Sequence, residues 1–395
     1  MTETRVCEVH GDEMLRAMYA IHAYAFRSSP PLSDQTEREE ALLRRQGATH
    51  IAVYEDHEPV ACGASRRMTQ QVRGALYPAA GLLDVTTHPA ARRKGYARQL
   101  LHALLRAVHD GGAVCSALYP FRELFYERLG YVVLPQTKRI RLDPAMLEPV
   151  LKQNLGGQVQ MLSIEEGYDT YRAFLKAHRE RVHGMALFDR DDRPEMRRGN
   201  QWVALATVDG QAEGIMLYDL RGEMTGRFNL RASRFYYRSA AGRYLLLDWI
   251  ARHIGQADRT EIVLPTYERP ETWLADLRLK IETAQHISPM VRVLEVARLT
   301  GMQTGPGDLT LHVSDAICPW NQATWRLATT GGKLEVTPAQ DAQGELSIQG
   351  LTALVYGTID PGEIAARGWG SVGEAQQETL RSMFPMLWPH LHEQF

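Results

Sequence analysis

A chain of 395 residues with 45 Lys and Arg against 47 Asp and Glu, 44% hydrophobic and 23% charged, has ordinary globular composition and exceeds what one hydrophobic core supports. The net charge of −2 argues against a nucleic-acid footprint or a polybasic membrane surface, and the scattered Cys7, Cys62, Cys115 and Cys318 make neither a disulfide framework nor a zinc spacing. The N terminus lacks a leader pattern and no run reaches about 18 apolar residues, so a soluble cytoplasmic protein of two or three domains is expected.

Met14, Leu15, Met18, Ile21, His22 and Ala25 recur at helical spacing over 13–26, and 34–45 predicts a second helix after the Pro30-Pro31 break. Strands are predicted at 50–54 and 59–67 around the turn Glu55-Asp56-His57-Glu58, and at 81–87. The turn Arg92-Arg93-Lys94-Gly95 then opens an apolar-periodic helix over 97–109. A strand at 114–119, a helix at 121–129 stopped by Gly130, and strands at 131–134 and 138–142 follow. The irregular stretch from Asp143-Pro144 to Gly157 marks a boundary.

The same grammar then returns. A helix at 165–181, strands at 201–208 and 213–220 about Asp209-Gly210, a strand at 228–237, a helix at 240–254 and a strand at 262–265 repeat the first order. No Arg-Arg-x-Gly turn precedes Ala240, so the second unit reads as a degenerate duplicate without cofactor. From Ser288 the pattern becomes α+β, with strands at 292–296, 309–314, 324–327, 333–336 and 345–349 and helices at 351–356, 361–367 and 375–384.

The first unit's basic turn carries the chemistry. A turn at a helix N terminus aims unpaired amides and the positive end of the dipole at one point, which suits an anion. Gly95 permits close backbone approach, while Arg92, Arg93 and Lys94 add charge and forked donors fitted to a diphosphate. His178 with His183, and His390 with His392, lack a third ligand at sensible spacing, so no metal is predicted.

Strand, Arg92-Arg93-Lys94-Gly95-Tyr96-Ala97, helix resembles the acetyl-CoA loop of the GNAT N-acetyltransferases, with its R/Q-x-x-G-x-A/G pattern. End to end the chain resembles the Eis (enhanced intracellular survival) family. The matching segments in its last third are 289–296 (PMVRVLEV), Glu345-Leu346-Ser347-Ile348, 351–357 (LTALVYG) and the stretch from Phe384-Pro385 to Phe395. The resemblance implies an α/β (α+β) architecture of tandem GNAT-fold domains with mixed central sheets, followed by a sterol-carrier-protein-like α+β domain. Their expected ranges are 1–150, 151–287 and 288–395. It also implies acetyl-CoA as co-substrate, with Val85, Thr86 and Thr87 along the pantetheine and Arg92, Arg93, Lys94, Gly95, Tyr96 and Ala97 at the pyrophosphate.

Acetyl transfer to an amine needs a neutral nucleophile, an activated thioester carbonyl and a proton for the leaving thiolate. The run from Phe121 through Phe125-Tyr126 to Gly130-Tyr131 matches the family's F-Y-x-x-x-G-Y helix, whose first tyrosine is the general acid, so Tyr126 takes that role by resemblance. The family uses its C-terminal carboxylate as base, which implies Phe395; a bridging water or Glu123 is the alternative. Phe26 and Glu123 are candidates to line a cleft for an aminoglycoside-, polyamine- or lysine-like primary amine, together with the Ser33-Asp34-Gln35 loop and Glu127. Where other family members carry an aspartate or tryptophan around the first helix–helix loop, this chain has Phe26-Arg27-Ser28-Ser29-Pro30-Pro31, without a tryptophan. A homohexamer is expected by resemblance, with neither nucleic-acid nor membrane partner. The rival readings are an acetyl-CoA-binding carrier of small molecules or lipid without turnover, and a protein lysine acetyltransferase.

Overall fold

The computed structural model describes residues 3–27, 47–190, 197, 199–224, 227–284 and 287–395. The helix expected over 34–45 and the Ser33-Asp34-Gln35 loop lie outside them. The first sheet contains β1 (Thr4–Glu8), β2 (Ala48–Glu55), β3 (Glu58–Val72), β4 (Ala75–Thr87), β5 (Cys115–Leu118) and β6 (Val132–Val133). Its helices are α1 (Gly11–Arg27), α2 (Tyr96–Asp110) and α3 (Glu123–Glu127). Leu100, Leu101, Leu104, Leu105 and Val108 form the buried stripe of α2 and pack on the sheet, as their helical spacing dictates.

The second sheet runs in the order β14-β7-β13-β12-β11-β10-β8. Its strands are β7 (Lys138–Leu142), β8 (Gly157–Ser163), β10 (Trp202–Val208), β11 (Gln211–Met224), β12 (Arg227–Tyr237), β13 (Ala257–Leu264) and β14 (Lys280–Thr283). Short α4 (Glu148–Leu151), then α5 (Ile164–Arg179) and α6 (Ala240–Ala251), cover it. Ser163 and Glu166 close a capping box that starts α5.

Three strands cross between neighbours. The strand predicted at 138–142 hydrogen-bonds to β13 and β14 of the second sheet, because Ile140 and Leu142 alternate with Arg139 and Arg141 and fill the apolar core under α6. The strand predicted at 292–296 is β15 (Met290–Val293), wholly buried between β5 and β6 of the first sheet. β9 (Ala186–Phe188) likewise pairs with β3.

The third sheet has the order β18-β17-β16-β19-β20, from β16 (Asp308–Ser314), β17 (Ala323–Thr330), β18 (Lys333–Pro338), β19 (Glu345–Ser347) and β20 (Gly370–Ser371). Ser347 caps the Gly350 amide, so α7 (Ile348–Tyr356) begins inside the strand predicted over 345–349. α8 is Glu374–Met383, and the helix predicted at 361–367 is a 3₁₀ turn at Pro361–Glu363.

Buried polar contacts dock this unit on the first. Arg292, fully buried in β15, donates to the Asp315 carboxylate and to the Leu129 carbonyl. Asp315 also accepts from Asn321 Nδ2 at 2.9 Å and from the Cys318 amide at 3.0 Å, so the pair is fully hydrogen-bonded. Arg73, in the β3–β4 turn, donates to the carbonyls of Val355 and Leu354 at 2.7 and 2.9 Å, placing a guanidinium on the C-terminal end of α7. Burial pulls its pKa down to about 10, still far above neutrality. Replacing Asp315 by alanine leaves Arg292 buried without its counter-charge; the expected loss is about 3–5 kcal/mol, read as a lowered thermal midpoint.

Candidate active site

β4 and β5 pair in parallel only from Ala79 with Cys115 to Leu82 with Leu118. β5 stops there and β4 continues to Thr87 with β3 alone beside it, so among the described residues one backbone edge of 83–87 has no neighbouring strand. The register against β3 shifts between Cys62 and Ala64, and opposite the shift Asp84 adopts φ +57°, a bulge that bends β4 away from β5. An extended ligand with amide groups fits such an edge as another strand would.

Below this edge lies the turn into α2. Arg93 and Gly95 have φ of +67° and +91°, and a Cβ on Gly95 would meet nothing within 4 Å, so glycine there serves conformation rather than space. No side chain caps Gly95 and no acid stands in the first turn, which leaves the amides at the start of α2 to an anion. Arg92 and Arg93 are exposed beside them. Lys94 is otherwise engaged: its Nζ lies 3.0 Å from Glu55, and the Tyr96 hydroxyl donates to Glu55 at 2.6 Å. That tyrosine bond and Lys94 hold the Glu55 carboxyl below its usual range. The Tyr96 ring is buried with the α2 core and Ala97 is half-buried. Lys94 and Tyr96 thus pin the turn to β2 and offer a ligand their backbone. Thr86 is similar, its hydroxyl 3.0 Å from the Cys62 sulfur inside the sheet, whereas Val85 and Thr87 are half-buried.

Tyr126, in α3, has a buried ring in edge contact with Phe121, Phe125 and Tyr131. Burial pushes its pKa above the ordinary 10. Its hydroxyl has no hydrogen-bond partner among the described residues, unlike Tyr131, whose hydroxyl is 2.8 Å from Ser116 Oγ. A tyrosine so buried normally finds a partner, so the lone Tyr126 hydroxyl is set apart from its neighbours.

Residues 384–395 have no regular secondary structure, yet 389–393 are all buried. Thr266 donates to the Pro389 carbonyl at 2.9 Å, and the His390 amide to the His183 carbonyl at 2.8 Å. The Tyr236 hydroxyl bridges His390 Nε2 and His392 Nδ1 at 3.1 and 2.7 Å. Arg172 of α5 lies 3.3 Å from the Glu393 carboxylate, and the Tyr119 hydroxyl donates to the Glu393 carbonyl at 3.0 Å. The Phe395 ring then stands edge-on to Tyr119 and Phe188 and lies over Gly81, whose added Cβ would come 2.8 Å from Phe395 Cζ. The chain's last residue therefore sits where β4 and β5 part.

Phe26 is half exposed near the end of α1, its ring 4.7 Å from that of His22, whose Nε2 is 3.2 Å from Asp84 Oδ1 in the β4 bulge. Glu123 is exposed in the first turn of α3, and no contact joins it to Phe26. Gly81, Tyr119, Asp84, Arg172 and Glu393 were not singled out from sequence; only the brevity of Gly81 at the end of a parallel pair carried a local signal. Among the described residues no three of His, Cys, Asp or Glu gather as metal ligands would, and no helix is long and apolar enough to cross a membrane.

Two segments of the chain match known protein families. Residues 9–134 match the acetyltransferase (GNAT) domain and residues 291–392 the sterol carrier protein domain. An uncharacterized N-acetyltransferase of Streptomyces coelicolor is 26% identical, covering 87% of this chain and 88% of its own. The chain carries a GNAT acetyltransferase domain and a C-terminal sterol carrier protein domain, and these with its N-acetyltransferase-named relative make it an acetyl-CoA-dependent acyltransferase. The fold matches Eis1 of Mycobacterium abscessus with a TM-score of 0.78 at 16% identity, over 99% of this chain and 100% of that one. A GCN5-related N-acetyltransferase of Anabaena variabilis matches at 0.83 and 18% identity, over 98% and 99%.

Two outcomes follow from the C-terminal segment. Gly81→Ala should displace the Phe395 ring and lower kcat by roughly tenfold or more, in the range of a small misplacement near a reacting centre, with little change in thermal midpoint. Burial lowers the pKa of His178 and His183 to about 4 and of His390 to about 3. Unfolded imidazoles bind protons below about 6.5 and these do not, so stability is full above that pH and is lost as pH falls toward 4; melting curves at stepped pH should show the midpoint dropping on acidification.

Proposed function

We propose that the protein transfers the acetyl group of acetyl-CoA directly to a primary amine of aminoglycoside-, polyamine- or lysine-like type. The observation that carries this reading is the seating of Phe395 against Gly81 at the parting of β4 and β5. In this reading residues 1–150 form the catalytic domain, 151–287 the degenerate duplicate and 288–395 the sterol-carrier-like domain. The free edge at Val85 to Thr87 takes the pantetheine, and the amides from Lys94 to Ala97 with Arg92 and Arg93 take the pyrophosphate.

The amine attacks the thioester carbon and forms the C–N bond. The Phe395 carboxylate accepts the ammonium proton, and Tyr126 gives its proton to the thiolate as the C–S bond breaks. Raised above 10 by burial, Tyr126 stays protonated through the neutral range. Phe26, and Glu123 at the far side, are proposed to face the acceptor. Asp84 adds a partly exposed carboxylate on the Phe26 side, which suits a cationic substrate. The cytoplasmic homohexamer implied by the Eis resemblance belongs to the same proposal.

A carrier without turnover is less well supported, because α7, the apolar helix of the third unit, is spent on docking. It is buried along its length, and its Tyr356 hydroxyl donates to Gln70 at 2.7 Å.

Thiol release from acetyl-CoA with a panel of aminoglycosides, polyamines and lysine peptides tests the reading. Tyr126→Phe and removal of Phe395 should each lower kcat by about 10²-fold or more with acetyl-CoA binding retained. No alkaline loss attributable to Tyr126 should occur below pH 10. Acetyl-CoA binding without thiol release across the panel would favour the carrier.

A further inference from the structure

The second sheet carries a basic surface that acetyl transfer does not use. On β7, β12 and β13 alternate residues Ile140, Leu142, Leu230, Ala232 and Ile262 enter the core under α6, so their neighbours face the other way. Past the part of that face covered by α5, the cross-strand register sets these neighbours in two rows. In one row Arg141 stands opposite Glu261, Glu261 opposite Arg231, and Arg231 opposite Asp219. There the charges compensate. Glu261 lies 3.1 Å from Arg141 Nε and 3.0 Å from Arg139 Nε.

The adjacent row has no carboxylate. Arg259 stands opposite Asn229, and Asn229 opposite Arg221. Arg259 has no ion-pair or hydrogen-bond partner among the described residues. Arg221 spends its Nε on Asp219 at 2.7 Å, and its terminal nitrogens have no hydrogen-bond partner among the described residues. The two arginines are two strands apart, roughly 10 Å between backbones, with an amide between them. β12 shifts register beside this row, against β13 between Phe228 and Asn229, and the β11 pairing shifts beyond Arg221. Such irregularities bend a sheet and re-aim its side chains. Both rows line one open groove.

Arg259 has no counter-charge of its own among the described residues, and Arg221 shares its charge with Asp219 through Nε alone, so this face keeps an excess of positive charge that a bound anion offsets. Guanidinium forks on either side of a side-chain amide present paired donors that match phosphate oxygens. We propose that this groove binds a small polyanion carrying at least two phosphate groups, at a site separate from the acetyl-CoA loop of the first sheet. The proposal stands whether or not the acceptor amine and the catalytic residues are as assigned above.

Calorimetric titration of the full chain with inorganic tripolyphosphate, at low salt and with saturating CoA to fill the first sheet's loop, tests it. One site per chain is expected. The Arg221→Ala, Arg259→Ala double variant, and separately Asn229→Glu, should weaken binding at least tenfold without moving the thermal midpoint or the CoA affinity. ATP in place of tripolyphosphate separates the sources: equal affinity assigns recognition to the phosphates alone, and tighter binding assigns the site to a nucleotide. Absence of binding with CoA present, or binding unchanged in both variants, overturns the proposal.

Discussion

The pairing of β4 with β5 ends at Leu82 and Leu118, and the divergence of the two strands beyond that point organises the rest of the molecule. The bulge at Asp84 turns β4 aside, the turn at Gly95 brings uncapped amides beneath the opened edge, and Gly81 leaves room for the Phe395 ring at its apex. The second sheet is an internal control. β12 and β13 also run parallel, pairing from Phe228 with Ala257 to Ala232 with Ile262. There the turn into α6 is Arg238-Ser239, Ser239 caps the Gly242 amide, and Gly242 is so pressed that a Cβ would lie 2.2 Å from the Glu213 carbonyl. The start of α6 is therefore closed where the start of α2 is open, and Tyr236, past the paired part of β12, holds the imidazoles of the C-terminal segment instead.

Distant parts of the chain support the first unit. The C-terminal segment is fixed by Arg172 and Thr266 of the second unit before it reaches Gly81. The third unit braces the helix that carries Tyr126: Gln349 donates to the Glu127 carbonyl at 2.8 Å, and Gly130, at φ +91°, fits against Arg292 and Ile348 with no space for a side chain. Removing either neighbouring unit would unseat groups that the first unit's sequence does contain. This dependence gives a physical reason for one chain to join the first unit to neighbours whose sequences lack its Arg-Arg-x-Gly turn.

What was legible in the sequence was local. Arg92 to Ala97 stand between a strand and an amphipathic helix, and each step of that inference uses neighbours in the chain. The positions of Lys94 and Thr86 were visible, but their side-chain directions were set by Glu55 on β2 and Cys62 on β3. The exchange of β7 and β15 between sheets was hidden for the same reason, since alternation and apolar runs mark a strand without naming its partner. Glu393 and Arg172 are 221 residues apart, and no spacing rule joins them.

In the proposed mechanism the carboxylate of Phe395, whose ring lies at the parting of β4 and β5, takes the proton of the acceptor amine. The most direct test of this step is the single-turnover acetyl-transfer rate of the protein with one glycine appended after Phe395, which keeps the ring and moves the carboxylate by up to about 3.5 Å. The account predicts a loss of roughly a hundredfold with acetyl-CoA affinity unchanged. An unchanged rate would contradict it and leave proton transfer to a water or to Glu123.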